Sequence, residues 1–181
     1  RWYTTHAQIC GPTGSGKGVL LGSLLYQSIR QGTSVAMFDP KNDEWLPHVL
    51  MAAANEAGVP YMFIDLAGNI PQWSPFAGKD EFEIQELLAA AFGMSDQGSD
   101  ADYYRAYGRR VARTLARDIA GRAITPRNAY LDLVQDLDKE ADDAKKFLLD
   151  LEEICSLRVV CTIAGMKLNK AIEDGAVIYV R

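Results

Sequence analysis

The amino-acid sequence predicts an α/β fold in which a parallel sheet is interrupted by an all-α insertion. Short apolar runs alternate with helical repeats over the first 65 residues, which is typical of parallel strands joined by crossover helices. From Asp80 to about Leu157 every periodic segment is helical, and Ala176–Val180 then returns to a β-branched run. We therefore predict a core at 1–79, a helical insertion at 80–157 and a return to the core sheet at 158–181.

The first half of the chain reads as three strands and two helices. His6–Cys10 is predicted as the first strand, and Val19–Arg30 follows as a helix with apolar residues at helical spacing. Ser34–Phe38 is the second strand, Asn42–Ala57 the second helix and Tyr61–Asp65 the third strand. This order places the strands in one sheet with helices between them.

The second half is predicted to leave the sheet and then rejoin it. Leu66–Lys79 is rich in Gly, Pro and Asn and reads as a loop. Three or four helices follow, with breaks at Ser95–Asp100 and Ile124–Asn128. Val159–Ile163 is either a strand or a buried connector, and Ala176–Val180 is the predicted fourth strand.

Composition narrows the classes of function. A chain of 181 residues that is 48% hydrophobic is large enough for one core or for a domain with a subdomain. The net charge of -5 excludes a surface that is basic throughout, so any nucleic-acid contact must be local.

Three cysteines and two histidines lack metal-site spacing, so we expect a reducing compartment and no zinc. No apolar run approaches the roughly 20 residues of a membrane span, so we expect a soluble chain without a membrane segment.

A phosphate-binding loop is the strongest chemical signal. Residues 11–17 fit the pattern G-x-x-x-x-G-K between a predicted strand and a helix, which is the context that this motif requires. The glycines let backbone N–H groups turn towards phosphate oxygens at a helix N-terminus, and the lysine adds an ammonium. A glycine-rich turn without a ligand is the plainer alternative. The predicted nucleotide-binding residues are Gly11, Pro12, Thr13, Gly14, Ser15, Gly16, Lys17, Gly18 and Val19, with Lys17 also the catalytic candidate.

The residue after the lysine departs from the usual pattern. Gly18 stands where a Ser or Thr hydroxyl commonly holds Mg²⁺. The metal must then find a ligand elsewhere or depend more on water, and neither Thr13 nor Ser15 is assigned to it. The metal ligands are therefore unknown from the sequence.

The run Gly11–Val19, followed by Phe38-Asp39-Pro40-Lys41, resembles the TraD/TraG-type coupling ATPases of conjugation and type IV secretion, which are relatives of the FtsK and HerA motors. The resemblance continues through Asp43-Glu44-Trp45 and Met51–Ala57, and covers most of residues 5–80 and about the last ten. Ser74 departs from the family, which usually has Asn before the Pro of that loop.

This resemblance implies a RecA-like P-loop NTPase core that binds ATP with Mg²⁺ and belongs to a DNA-translocating ATPase. It also implies single-stranded DNA, a relaxase or relaxosome and type IV secretion channel proteins as partners, and a homo-hexamer. The implied location is the cytoplasmic face of the bacterial inner membrane, with anchoring helices outside this sequence.

The family's acidic Walker B strand follows the return strand, and no run ending in Asp-Glu follows Val180. We therefore expect a fragment that binds Mg-ATP weakly and turns it over little by itself.

Asp39 and Lys41 follow the second predicted strand. A carboxylate at the C-terminal end of a strand lies on the ligand side of an open α/β sheet, and the resemblance implies that Asp39 and Lys41 border the nucleotide or a subunit interface. The alternative is that Asp39 only caps the helix near Asn42.

Four arginines recur every four residues in the insertion, at Arg105, Arg109, Arg113 and Arg117. Residues 105–127 carry a net charge of +6 and residues 132–153 a net charge of -6, counting Lys, Arg, Asp and Glu. The arginine stripe is either a face for DNA or a partner, or it pairs with the acidic block or is simply solvated. Tyr103, Tyr104 and Tyr107 lie beside it and either stack on bases or pack a helix seam.

Two other functions fit the phosphate loop. A small-molecule phosphotransferase of adenylate-kinase type also has Gly after the loop lysine, but such kinases follow it with Thr, where this chain has Val19. A module that binds a nucleotide without hydrolysing it is the third possible function.

Overall fold

The structure is a computed structural model that describes residues 6–136, 144–163 and 167–181. It contains a small parallel sheet and a larger set of helices, which confirms the predicted α/β class. The elements are α1 Lys17–Arg30, β1 Val35–Phe38, α2 Leu46–Ala57, β2 Tyr61–Ile64, α3 Glu81–Ala91, α4 Asp102–Arg122, α5 Pro126–Asp136, α6 Lys145–Ser156, α7 Leu168–Glu173 and β3 Val177–Val180.

The chain divides into two compact units. Unit 1 comprises Arg1–Ile64 and Leu168–Arg181, and unit 2 comprises Asp65–Lys167. The sheet lies in unit 1, whereas the described part of unit 2 is helical apart from its loops.

The sheet of unit 1 has the strand order β1-β3-β2, and both pairs are parallel. Val177 lies opposite Val35 on one side and Tyr61 on the other. The last strand in the chain is thus the central one, and it is buried from Val177 to Tyr179. A central parallel strand is covered on both faces, which explains its continuous apolar sequence.

His6–Cys10 was predicted as a strand, and this prediction was wrong. The segment is irregular and mostly exposed. A strand persists through ladder hydrogen bonds to a neighbour, and the sheet within the described residues consists of β1, β3 and β2 alone. His6–Cys10 therefore leads into the phosphate loop as an irregular segment that pairs with no strand among the described residues.

The two longer helices of unit 1 supply its core. Ile29 of α1 and Leu50 of α2 are buried with Val177 and Tyr179 of the central strand. Tyr26 donates to Glu56 at 2.6 Å, and so ties α1 to α2 at the surface. The core therefore joins these helices to the sheet by apolar contacts.

Helix α2 begins at Leu46, four residues later than predicted. Asn42 adopts a left-handed conformation with φ 58°, which is incompatible with a helix at that point. The side chain of Asp43 accepts the N–H groups of Trp45 and Leu46 at 2.9 and 3.1 Å, and Pro47 lies in the first turn, where proline removes no helical hydrogen bond.

Unit 2 has its own apolar core. Helix α3 begins with a capping box in which Asp80 accepts the N–H of Glu83 at 2.8 Å and Glu83 accepts that of Asp80 at 3.1 Å. The buried residues that α3, α4 and α6 contribute include Ile84, Leu88, Val111, Leu115, Phe147 and Leu151. The described insertion thus contains four helices between residues 80 and 157, in line with the expected three or four.

The ambiguous segment Val159–Ile163 is a connector and not a strand, and it is buried at Val159 and Val160. Arg158–Val160 forms a 3-10 turn, and the carbonyl of Val159 accepts the N–H groups of Gln72 and Trp73 at 2.9 and 3.0 Å. Ala176–Val180 rejoins the sheet as predicted, through β3. Within the described ranges, no helix has the length and apolar character that a membrane crossing needs.

Candidate nucleotide-binding site

The backbone of the predicted phosphate loop is held in a shape that glycine permits. Gly14 and Gly16 both have φ 81°, in the left-handed region, and a Cβ atom at either position would meet no atom within 4 Å. Gly16 is also the N-cap of α1. The loop therefore leads directly into a helix, with open space at Gly14 and Gly16.

The start of α1 offers free backbone donors. Leu20 N–H donates to Gly16 at 3.0 Å, whereas the N–H groups of the first helical residues have no acceptor inside a helix. No N-cap side chain covers this end, and its first turn contains no acidic residue. An exposed, uncapped helix N-terminus attracts anions, and phosphate groups above all.

The Lys17 ammonium is positioned by the loop itself. Its Nζ donates to the carbonyls of Gly11 and Pro12 at 2.7 and 2.6 Å. Ser15 N–H donates to Pro12 at 3.3 Å, so the loop closes on the same segment. Because an anionic oxygen is a stronger acceptor than a neutral carbonyl, this ammonium can exchange these carbonyls for phosphate oxygens.

The residues present fit a polyphosphate: left-handed glycines, an uncapped helix end and one ammonium converge within Gly11–Val19. For Mg²⁺, Gly18 provides no side-chain ligand. The described part of the chain contains no group of three or more His, Cys, Asp or Glu residues that could hold a metal ion. The loop therefore fits the phosphate chain of the predicted ligand.

Trp45 is a neighbour of the loop that the sequence analysis did not single out as a site residue. A Cβ atom at Gly18 would lie 3.7 Å from its indole, and one at Gly22 would lie 2.8 Å from it. The indole thus packs against one side of α1, at Gly18 and Gly22. The signal in the sequence was the pair of glycines one turn apart on a helix, which leaves room for a large side chain.

Asp39 is buried and anchors the loop that carries Trp45. Its carboxylate accepts the Tyr179 hydroxyl at 2.5 Å and the N–H groups of Lys41 and Asp43 at 2.9 and 2.5 Å. The hydrogen bond from Tyr179 is the main cause that lowers the pKa of Asp39, with the backbone N–H groups adding to it against burial. Burial first, and then this bond, raises the pKa of Tyr179.

Through these hydrogen bonds Asp39 has a structural role, because it holds the loop before α2 against the central strand. The side chain of Lys41 is exposed on the same loop. Contact of Asp39 or Lys41 with a nucleotide or a neighbouring subunit stays a prediction.

The four arginines of α4 do not share one environment. Arg105 pairs with Asp102 and donates to Gln97 at 3.1 Å, and Arg109 donates to Met94 and Asp96 at 2.5 and 2.7 Å. Both tie α4 to the preceding loop.

Arg113 and Arg117 are exposed, and Arg113 makes a long bond of 3.4 Å to Gln85. Four-residue steps advance the helical position by about 40° each beyond a full turn. The stripe therefore winds from the loop side of α4 onto its solvent side.

The acidic block pairs with α4 at one described position. Arg122 and Asp132 form an ion pair at 2.7 Å, and both side chains remain partly exposed. The acidic residues between 137 and 143 lie outside the described residues. The acidic partner of Arg105 is instead Asp102, the first residue of α4, and that of Arg109 is Asp96 in the preceding loop.

Comparisons with known proteins point to one family. Residues 1–149 match the model of the type IV secretion-system coupling protein DNA-binding domain. Mobilization protein A of Escherichia coli is 32% identical over 122 residues, which cover 66% of this chain and 22% of that protein. Type 4 coupling protein DotL of Legionella pneumophila is 31% identical over 122 residues, which cover 60% of this chain and 15% of that protein.

Two solved structures share the fold. The unbound monoclinic form of the bacterial conjugative coupling protein TrwBdeltaN70 matches with a TM-score of 0.62 and 17% identity, over 94% of this chain and 44% of that one. The trigonal form of TrwBdeltaN70, in complex with sulphate, matches with a TM-score of 0.61 and 18% identity over the same shares. The chain thus spans less than a quarter of these curated relatives and less than half of these solved chains. The likeness confirms the expected RecA-like core.

Proposed function

This chain belongs to the type IV secretion-system coupling proteins, and we propose on that basis that it carries the ATP-binding loop of a DNA-translocating ATPase. The observation that supports ATP binding is the convergence of left-handed glycines, an uncapped helix end and the Lys17 ammonium on one exposed loop. Each of these features favours an anion with several phosphate groups.

The roles of the loop residues follow from their geometry. The N–H groups around Gly14 and Gly16 surround the phosphate chain, and the first turn of α1 directs its positive end towards it. The Lys17 ammonium leaves the carbonyls of Gly11 and Pro12 and neutralises the terminal phosphates. These interactions hold the nucleotide in one orientation, as phosphoryl transfer requires.

Magnesium, when bound with the nucleotide, neutralises charge on the phosphate oxygens. Gly18 has no side chain to hold the ion. We infer that its ligands in this region are mainly phosphate oxygens and water, in keeping with the reluctance of Mg²⁺ to lose its hydration shell.

The wider setting is also a proposal. As part of a coupling protein, the chain acts on single-stranded DNA delivered with a relaxase, next to type IV secretion channel proteins. Its parent assembles as a homo-hexamer at the cytoplasmic face of the inner membrane. Family membership supports this setting, and DotL is itself named a type 4 coupling protein.

A nucleotide-binding measurement tests the proposal. Titration of the chain with Mg-ATP in a calorimeter should show binding that Lys17→Ala weakens roughly ten- to hundredfold, because a hydrogen bond to a charged group contributes about 1.5–3 kcal/mol. Lys170→Ala removes an equal charge from the exposed surface of α7 and should bind ATP like the original chain. Equal affinities for the Lys17→Ala variant and the original chain would show that the loop is not the site.

The adenylate-kinase alternative predicts a different result. Such an enzyme transfers the terminal phosphate of ATP to AMP, so product analysis after incubation with both nucleotides separates the two functions. Appearance of ADP that depends on added AMP would contradict the coupling-protein proposal. Because the chain belongs to the coupling-protein family, we expect no transfer of phosphate from ATP to AMP.

A further inference from the structure

The indole of Trp45 has a defined orientation beside the phosphate loop. A Cβ atom at Gly18 would lie 3.7 Å from its Cζ2, and one at Gly22 would lie 2.8 and 3.1 Å from its Cη2 and Cζ3. Cζ2 is attached to the ring carbon that bonds Nε1, whereas Cη2 and Cζ3 are farther from that nitrogen. The end of the indole that carries the N–H donor therefore points along α1 towards the phosphate loop.

The main chain around Trp45 holds the indole in this position. Trp45 N–H donates to the Asp43 carboxylate at 2.9 Å. The Trp45 carbonyl accepts the N–H groups of His48 and Val49 at 3.1 and 3.2 Å. Asp43 N–H in turn donates to the buried carboxylate of Asp39 at 2.5 Å. The backbone that carries the indole is thus fixed without a ligand.

The indole donor is available to a ligand. Trp45 is 39% exposed, and no residue in the described part of the chain accepts its Nε1–H. An indole combines a large apolar surface with one N–H donor, and it is common at binding surfaces because a partner can satisfy that donor. The first turn of α1 contains no acidic side chain that would compete for it.

The position of Gly18 relates this donor to the phosphates. A side chain at position 18 would point at the indole, because its Cβ atom would be in contact with Cζ2. In the usual phosphate-loop motif, the hydroxyl at this position reaches the Mg²⁺ ion that bridges the β- and γ-phosphates. The indole thus lies on the side of the loop where a Ser or Thr side chain would meet the ion and its phosphates.

We propose that Trp45 is a nucleotide-binding residue, and that its Nε1–H donates to a phosphate oxygen of the bound nucleoside triphosphate. An indole nitrogen is only a donor, so it binds the phosphate and is not a ligand of Mg²⁺. The proposal rests on the proposed function, because it needs a triphosphate in the loop. It adds a second side-chain donor to the Lys17 ammonium.

Affinity for Mg-ATP tests the hydrogen bond. Trp45→Phe keeps an aromatic ring but removes the donor, and should weaken Mg-ATP binding in the calorimeter by about tenfold. Trp73→Phe removes an indole from unit 2 and should bind Mg-ATP like the original chain. Circular dichroism of both variants checks that they keep the helices of the original chain.

Quenching of tryptophan fluorescence by acrylamide tests the contact with the indole still in place, and so does not depend on the folding of Trp45→Phe. The chain has three tryptophans, so Trp2→Phe/Trp73→Phe leaves Trp45 as the only one. Saturating Mg-ATP should lower the quenching constant of this variant, because the phosphates cover the exposed edge of the indole. Magnesium tripolyphosphate, which has no base, should protect the indole in the same way, whereas adenosine should not.

Two results would overturn the role of Trp45 while the phosphate loop remains the site. One is Mg-ATP binding that Lys17→Ala weakens and Trp45→Phe leaves unchanged. The other is a quenching constant that Mg-ATP or tripolyphosphate does not lower, or that adenosine alone lowers. Absence of Mg-ATP binding by the original chain would instead contradict the proposed function, so the two failures are distinguishable.

Discussion

At the scale of single residues, the contact between Trp45 and α1 constrains two glycines of this helix to different degrees. The indole lies over Gly18 at ordinary contact distance, whereas at Gly22 it leaves no room for a methyl group. Gly22 is also buried, and Leu46 lies 3.3 Å from where its Cβ atom would be. The two glycines therefore permit different substitutions although they lie one turn apart.

Alanine substitutions at these two positions should have different effects on stability. Gly22→Ala forces the indole or the helix to shift, which typically costs about 1–3 kcal/mol. Gly18→Ala meets only ordinary contact and should gain up to about 1 kcal/mol from helix propensity. Urea unfolding of both variants followed by circular dichroism measures the difference. Equal midpoints would show that Trp45 yields freely.

The left-handed glycines of the loop and the helix that starts at Lys17 could be predicted from the sequence, because the motif fixes residue types and spacing; phosphate binding by these residues stays a prediction. Trp45 could not be predicted as their neighbour, because it comes close only through the fold of the loop after β1. The bond between Asp39 and Tyr179 joins residues that are 140 positions apart. Contacts of this range depend on strand order, which local patterns do not specify.

At the scale of elements, α4 begins at a carboxylate that organises the preceding loop. Asp102 accepts the N–H groups of Gln97, Gly98 and Ser99 and pairs with Arg105. The N–H of Gln97 is the main cause that lowers the pKa of Asp102 to about 2, helped by Arg105 and the other two N–H groups. The loop therefore depends on the charged form of this side chain.

Acid should remove the contribution of Asp102 to stability. The pKa of Asp is about 3.9 in an unfolded chain and about 2 for Asp102 in the folded one. The contribution is thus complete above about pH 4 and is lost as the pH falls towards 2. The urea midpoint of Asp102→Asn should lie below that of the original chain at pH 5, and this gap should narrow towards pH 2.5.

Asp100→Asn is the matched control for this experiment, since it removes an exposed carboxylate from the same loop. Its midpoint should follow that of the original chain at each pH. A gap between Asp102→Asn and the original chain that stays constant from pH 5 to 2.5 would contradict the lowered pKa.

The helices were predicted more reliably than the strands, for a physical reason. The hydrogen bonds of a helix are local, so periodicity in α3 and α4 is enough to predict them. A strand needs a partner, and the apolar pattern of His6–Cys10 does not say whether one is present. In the same way, a spacing of four residues placed Arg105 and Arg117 on one stripe, although their contacts differ.

At the scale of the whole molecule, the two units differ in how their cores are assembled. Unit 2 is continuous in sequence from Asp65 to Lys167, whereas unit 1 joins the beginning of the chain to Leu168–Arg181. The central strand β3 pairs with both β1 and β2. Disruption of β3 should therefore unfold the sheet, while the separate helical core of unit 2 remains.

A proline in the central strand tests this expectation. Ile178→Pro removes a ladder hydrogen bond from β3 and leaves its buried acceptor unsatisfied, which costs about 1–3 kcal/mol, while Ile178→Val is the conservative control. Hydrogen exchange measured by mass spectrometry should show lost protection of β1 and β2 amides and retained protection of α4 amides. Equal loss in α4 would show that the two units unfold together.

The position of β3 in the sequence also means that it is synthesised long after its two neighbours in the sheet. More than a hundred residues separate Ile64 from Val180. A ribosome adds about 5–20 residues per second, so roughly 6–23 s pass before the middle of the sheet emerges. Throughout that interval the nascent β1 and β2 have unpaired edges that attract other chains. The first half of the chain therefore has to avoid pairing with other chains until β3 has been synthesised.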